Sequence, residues 1–106
     1  MPDWIEIAKV ADCPPGAAVE VVAGDRMLAM FNVDGTFCAL DGVCPHQGGP
    51  LGQGELDGCI VTCPWHGWQF DVRSGQSQLS PSVAQPRIAV RVEGDAVFAD
   101  LEELEP

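Results

Sequence analysis

Two short stretches, CPHQGGPL at 44–51 and CPWHGWQF at 63–70, hold the residues of this chain best suited to chemistry. They contain both of its histidines, His46 and His66, and two of its five cysteines, Cys44 and Cys63. The pattern is Cys44-x-His46, sixteen intervening residues, then Cys63-x-x-His66. Thiolate and imidazole together suit zinc, copper or iron–sulfur chemistry, and not calcium or magnesium. Four ligands from two knuckles are enough to close a site. Two centres fit: a structural zinc ion of Cys2His2 composition, or a two-iron cluster with two cysteines on one iron and two histidines on the other.

The order of ligands bears on that choice. Zinc fingers usually place both cysteines in one knuckle and both histidines in the other. Here each knuckle supplies one of each, so each loop can touch both irons of a binuclear centre and the pair can clamp it. Gly48, Gly49 and Gly67 allow close approach of backbone N–H groups, which inorganic sulfides require. Pro45 and Pro64 stiffen the chain directly after each cysteine.

These loops need a scaffold, and the rest of the chain reads as short strands. Expected strands are Trp4–Ile7, Ala18–Val22, Met27–Asn32, Thr36–Leu40, Cys59–Thr62, Gln69–Val72, Ile88–Glu93 and Val97–Ala99. Turn signals at Gly24-Asp25, Asp34-Gly35, Ser74-Gly75 and Gly94-Asp95 separate them. Val19 and Val21, then Ile88, Val90 and Val92, alternate as half-buried strands do. No segment keeps a helical apolar period, and nine prolines and twelve glycines discourage long helices. The acidic tail LEELEP is expected to fray. The chain is therefore all-β, and both Cys/His stretches fall in gaps between strands.

A length of 106 residues gives one domain, 1–106, with a cluster-binding subdomain over about 41–82. No run approaches the roughly 18–20 apolar residues that span a bilayer. The N-terminal MPDWIEIAKVADCPPG lacks the basic and apolar stretches of a signal peptide, which points to the cytoplasm. Sixteen acidic against five basic residues give a formal charge of -11, which disfavours nucleic acid and favours a basic protein partner. An odd number of cysteines argues against a disulfide framework. Cys38 and Cys59, set among apolar residues, are expected as small core hydrophobes, Cys13 as an incidental loop thiol, and Trp4 as a core residue.

Cys44-Pro45-His46-Gln47-Gly48 and Cys63-Pro64-Trp65-His66-Gly67 resemble the two boxes of Rieske [2Fe-2S] proteins, and the length and strand density resemble a soluble Rieske ferredoxin over nearly the whole chain. The resemblance implies an antiparallel β-sandwich bearing a small subdomain of two loops. It implies one [2Fe-2S] cluster, with Cys44 and Cys63 on one iron and His46 and His66 on the other. Leu51 and Pro81 resemble the hydrophobic cover and proline loop of such clusters, with Pro86 as a substitute. Trp65 and Trp68 either shape the exposed rim of the cluster or pack over a small core.

Respiratory and photosynthetic Rieske proteins carry a further cysteine in each box, and these pair as a disulfide. Gly49 and Trp65 stand at those places here. High-potential members also carry a serine and a tyrosine where this chain has Trp68 and Phe70. Fewer donors stabilise the reduced cluster less, so the potential is expected near the low end of the roughly -150 to +300 mV range. The implied role is a one-electron carrier, not an enzyme, between a flavin-dependent reductase and a terminal oxygenase. Both histidines are committed to the cluster, leaving none for the mononuclear iron of the oxygenase itself. Two readings stand beside it: the Rieske-like small subunit of an assimilatory nitrite reductase, and a zinc-stabilised interaction module. The carrier is expected to be a monomer without nucleic-acid or membrane partners.

Overall fold

A computed structural model describes residues 4–23, 26–42, 50–65, 67–78, 83–85 and 87–100. Nine strands run in chain order: β1 (Trp4–Lys9), β2 (Ala18–Ala23), β3 (Arg26–Val33), β4 (Thr36–Asp41), β5 (Glu55–Asp57), β6 (Ile60–Thr62), β7 (Gln69–Asp71), β8 (Arg87–Glu93) and β9 (Ala96–Asp100). The helical elements among the described residues are two 3-10 turns, Val10–Asp12 and Leu51–Gln53. All eight expected strands form. β5 is an addition: its three residues, ELD, are too few to show an alternation.

Every pairing is antiparallel, in a six-stranded sheet of order β1-β9-β8-β4-β3-β2 and a three-stranded sheet of order β5-β6-β7. Among the described residues the larger sheet is joined in its middle by two residue pairs, Ala39 with Ile88 and Leu40 with Arg87. At that narrow joint it folds over, so that β1-β9-β8 faces β4-β3-β2. Leu28, Met30, Ala39, Ile88, Val97 and Ala99 fill the space between the halves. This is the expected sandwich.

The β3–β4 hairpin is covered on both faces. Leu28 and Met30 point into the sandwich, while Ala29, Phe31 and Leu40 point the other way, onto the three-stranded sheet. A strand buried on both sides reads as a continuous apolar run, which is what MLAMF at 27–31 is. The hairpin turns at Asp34-Gly35, both with positive φ of 52° and 95°, the geometry that matches the strand twist. The Asn32 side chain accepts from the Gly35 N–H at 2.7 Å and holds the turn.

Two expectations need correction. Cys13 is fully buried, with Met30 and Val97 in the large core. The Cys13-Pro14-Pro15-Gly16 loop folds beneath the sheet because Asn32 Nδ2 and O bond its backbone at Cys13 and Gly16, at 2.9 and 2.8 Å. Trp4 is only half-buried, and the Arg91 guanidinium lies over its ring, 5.0 Å from the centroid. On an outer strand, a cation and its stem cover the indole in place of a core. Cys38 and Cys59 pack partly buried against the apolar cluster beneath the three-stranded sheet, as expected. The tail 101–106, Gly24-Asp25, Pro81 and Pro86 lie outside the described residues.

Candidate metal centre

Cys63 heads the loop that joins β6 to β7. Its N–H donates to the carbonyl oxygen of Trp68 at 2.7 Å, and Thr62 pairs with Gln69 just below, so residues 63–68 form a pinned six-residue loop. Gly67 closes it with φ of +75°, a left-handed conformation that would strain a residue bearing a Cβ. Cys63 itself is 1% exposed. Its neighbours in the apolar cluster are Ala29, Phe31, Leu40, Leu51, Val61, Phe70 and Val72.

The stem of the other box is pinned as firmly. The Gly42 N–H donates to Met27 O at 2.9 Å, and Gly42 O accepts from the Leu51 N–H at 2.9 Å. The chain leaves β4, makes its excursion and returns within one hydrogen bond of its origin. Leu51 at the return is fully buried, in the same cluster as Cys63. Leu51, just after the first stretch, and Cys63, at the head of the second, therefore rest on one apolar base supplied by β3, β4 and the three-stranded sheet. Cys44, His46 and His66, with Pro45, Gly48 and Gly49, lie outside the described residues.

The two tryptophans of the second box separate. Trp68 packs half-buried against the cluster, its ring centroid 6.5 Å from that of Phe70. Trp65 is 50% exposed and is the one aromatic among the exposed large hydrophobic side chains described. Neither Phe70 nor Trp68 brings a hydroxyl to the base of the loop.

Gly54 escaped the sequence reading. A Cβ there would meet Thr62 O at 2.2 Å, so β5 can lie against the strand that leads into Cys63 only with glycine at this position. The signal was present in GQGE: an isolated glycine beside a strand marks a close backbone approach. Among the described residues no three His, Cys, Asp or Glu side chains gather as a metal site.

In this small all-β domain the residues flanking both Cys/His stretches share one apolar base, and thiolate with imidazole is a donor set that suits an iron–sulfur cluster. The family model for the Rieske [2Fe-2S] domain matches residues 3–98, and the chain belongs to that family. It is an electron-transfer component whose cofactor is one Rieske-type [2Fe-2S] cluster. It is 37% identical over 99 residues to the biphenyl dioxygenase ferredoxin subunit of Pseudomonas sp. (strain KKS102), covering 92% of this chain and 91% of that one. It is 30% identical to the ferredoxin component of the naphthalene 1,2-dioxygenase system of Pseudomonas aeruginosa, covering 92% and 95%. Among solved structures, the complex of reduced oxygenase and oxidised ferredoxin in carbazole 1,9a-dioxygenase contains a chain that superposes with a TM-score of 0.83, at 31% identity and 92% coverage of both. A nitrite reductase (NADPH) small subunit superposes at 0.78, covering 92% of this chain and 97% of that one; its 18% identity shows a shared fold alone.

Proposed function

We propose that this protein takes single electrons from a flavin-dependent reductase and delivers them to a terminal oxygenase, with Cys44 and Cys63 holding one iron and His46 and His66 the other. When bound, the cluster accepts and returns one electron. The chain's own residues do the rest. Cys63 anchors the second loop in the apolar base, and Phe31, Leu51 and Phe70 exclude water from the side of the cysteine. Trp68 and Phe70 offer no hydroxyl, which leaves the reduced form with fewer donors and supports a low potential. The domain spans 1–106 with its cluster-binding part over about 41–82, and works as a monomer in the cytoplasm. No helix among the described residues is long and apolar enough to cross a membrane.

The observation that carries this reading is the shared base: Leu51, returning from the first box, and Cys63, opening the second, are buried in one cluster. Two loops braced independently would have no such reason to meet. The nitrite reductase reading has likeness of fold on its side, and no observed residue favours it.

Iron and acid-labile sulfide analysis, with an EPR spectrum after dithionite reduction, tests the reading. Two irons, two sulfides and the rhombic signal of histidine-ligated iron are expected. Zinc without iron, in protein made with ample iron, would overturn it.

A further inference from the structure

The three-stranded sheet has an inner face and an outer one. Leu56, Val61 and Phe70 alternate inward to the base beneath the boxes. Glu55, Asp57, Ile60, Thr62 and Gln69 therefore point outward, and with Gln78 they line a shallow hollow of about 620 Å³. The hollow abuts the cluster loop directly, since Thr62 precedes Cys63 and Gln69 follows Trp68.

Charge on this face is unbalanced. One cation stands on this sheet, Arg73 beside Asp71 of β7 at 3.0 Å, and elsewhere Lys9 sits beside Glu6 at 3.0 Å and Arg91 beside Glu93. Among the described residues neither Glu55 nor Asp57 has a cationic partner. The loop that follows Thr62 carries the half-exposed Trp65. The result is a concave sheet face with two carboxylates lacking a cation, continuous in sequence with the loop that carries Trp65 and the proposed ligand Cys63.

We propose that the outer face of β5-β6-β7, together with Trp65, is the docking surface for an electron acceptor whose redox centre is rimmed by lysine and arginine. The proposal rests on the carrier reading above. An acceptor is favoured over a donor by the sign of the charge change. Reduction adds one negative charge to a protein already at -11, so a basic partner holds the reduced form more tightly and releases the oxidised form after transfer. A donor needs the opposite order of affinities. Complementary charge acts mainly by speeding encounter, and salt screens it.

The experiment uses cytochrome c, a one-electron acceptor with a lysine-rich rim, mixed in a stopped-flow instrument with the dithionite-reduced protein. The double variant Glu55→Lys with Asp57→Lys is expected to slow the reaction about tenfold at low ionic strength, with the difference closing at high salt. The comparison variant is Glu93→Lys with Asp95→Lys. It makes the same change of net charge at the far end of β8, about 20 Å along the strand from Arg87. It is expected to stay within about twofold of the parent. Trp65→Ala is expected to slow transfer at every salt concentration, since its contribution is contact and not charge. Equal slowing by both double variants would reduce the effect to net charge and overturn the docking face. Iron content and EPR of the parent are recorded first: a parent without the cluster signal overturns the carrier reading itself, a result distinct from the first.

Discussion

Among the described residues two Cys-Pro loops end in a left-handed glycine, CPPG at 13–16 and CPWHG at 63–67, with φ of +85° at Gly16 and +75° at Gly67. Both cysteines are buried, Cys13 at 0% and Cys63 at 1% exposure. Burial therefore does not distinguish a structural thiol from a proposed ligand. The surroundings do. The Cys13 Sγ faces the carbonyl oxygens of Ala17 and Met30, at 3.5 and 3.9 Å, so the native site has acceptors for a thiol that keeps its proton. Burial accordingly pushes its pKa up. Cys63 has a histidine three residues on and an echo in Cys44-x-His46; the prolines after Cys13 provide neither. One loop plugs the end of the large core, and the other stands on a second core and presents chemistry.

The sharpest way to break this comparison is to remove each thiol. Cys63→Ala is expected to leave a colourless protein without iron, while far-UV circular dichroism keeps the signature of the sheet. Retention of two irons per chain would remove Cys63 from the ligand set. Gly54→Ala comes next, because a Cβ 2.2 Å from Thr62 O forces β5 off β6 just before the loop. A loss of about 1–3 kcal/mol in denaturant titrations is expected, with faster release of iron to a chelator. Cys13→Ala is milder. It removes one buried sulfur at a cost of about 1 kcal/mol, or about 4–8 °C in the thermal midpoint. EPR spectrum and potential should match the parent, and a shifted potential would mean that the two cores are coupled.

The strands were legible in the sequence because they are short, alternating and set off by turn residues. Val19 and Val21 mark β2; Ile88, Val90 and Val92 mark β8. The fold-over at the Ala39–Ile88 joint left no local trace, nor did the pairing of β1 with β9 across the length of the chain. Both depend on contacts between residues distant in sequence. Cys13 was misjudged because a loop with two prolines ordinarily lies on the surface, whereas Asn32, nineteen residues on, draws this one inward. Trp4 was misjudged because Arg91, which covers it, belongs to a strand that is remote in sequence. At the centre, the proposed ligand types and their spacing come from the sequence, with Cys44, His46 and His66 outside the described residues. What they could not reveal is that Leu51 and Cys63 share a base, or that the sheet beneath them turns an acidic face outward.

The smallest expected effect separates the two regions by pH. In the large core, the raised pKa of Cys13 means that its neutral form contributes stability below the unfolded value, and this is lost as pH rises toward the folded one. The chain has no tyrosine, and the one other thiol that burial pushes up, Cys38, shares that limb from the smaller core. The three-stranded sheet responds at the opposite end. Asp71 accepts from Arg73 through both carboxylate oxygens, at 3.2 and 3.0 Å, and from the Arg73 N–H at 2.9 Å. The guanidinium, foremost, holds the Asp71 pKa below the ordinary carboxylate value. Its stabilising share is therefore complete above the unfolded pKa of about 3.9, and disappears as pH falls through the lower folded value. Arg73 is 64% exposed, and solvent screening keeps the pair weak. Asp71→Asn should accordingly reduce stability slightly at neutral pH and flatten the acid limb of the stability profile. Cys13→Ala should flatten the alkaline limb alone. If Cys13→Ala altered the acid limb as well, the two regions would not be titrating independently, and the division between a large core that supports and a small core that presents would have to be given up.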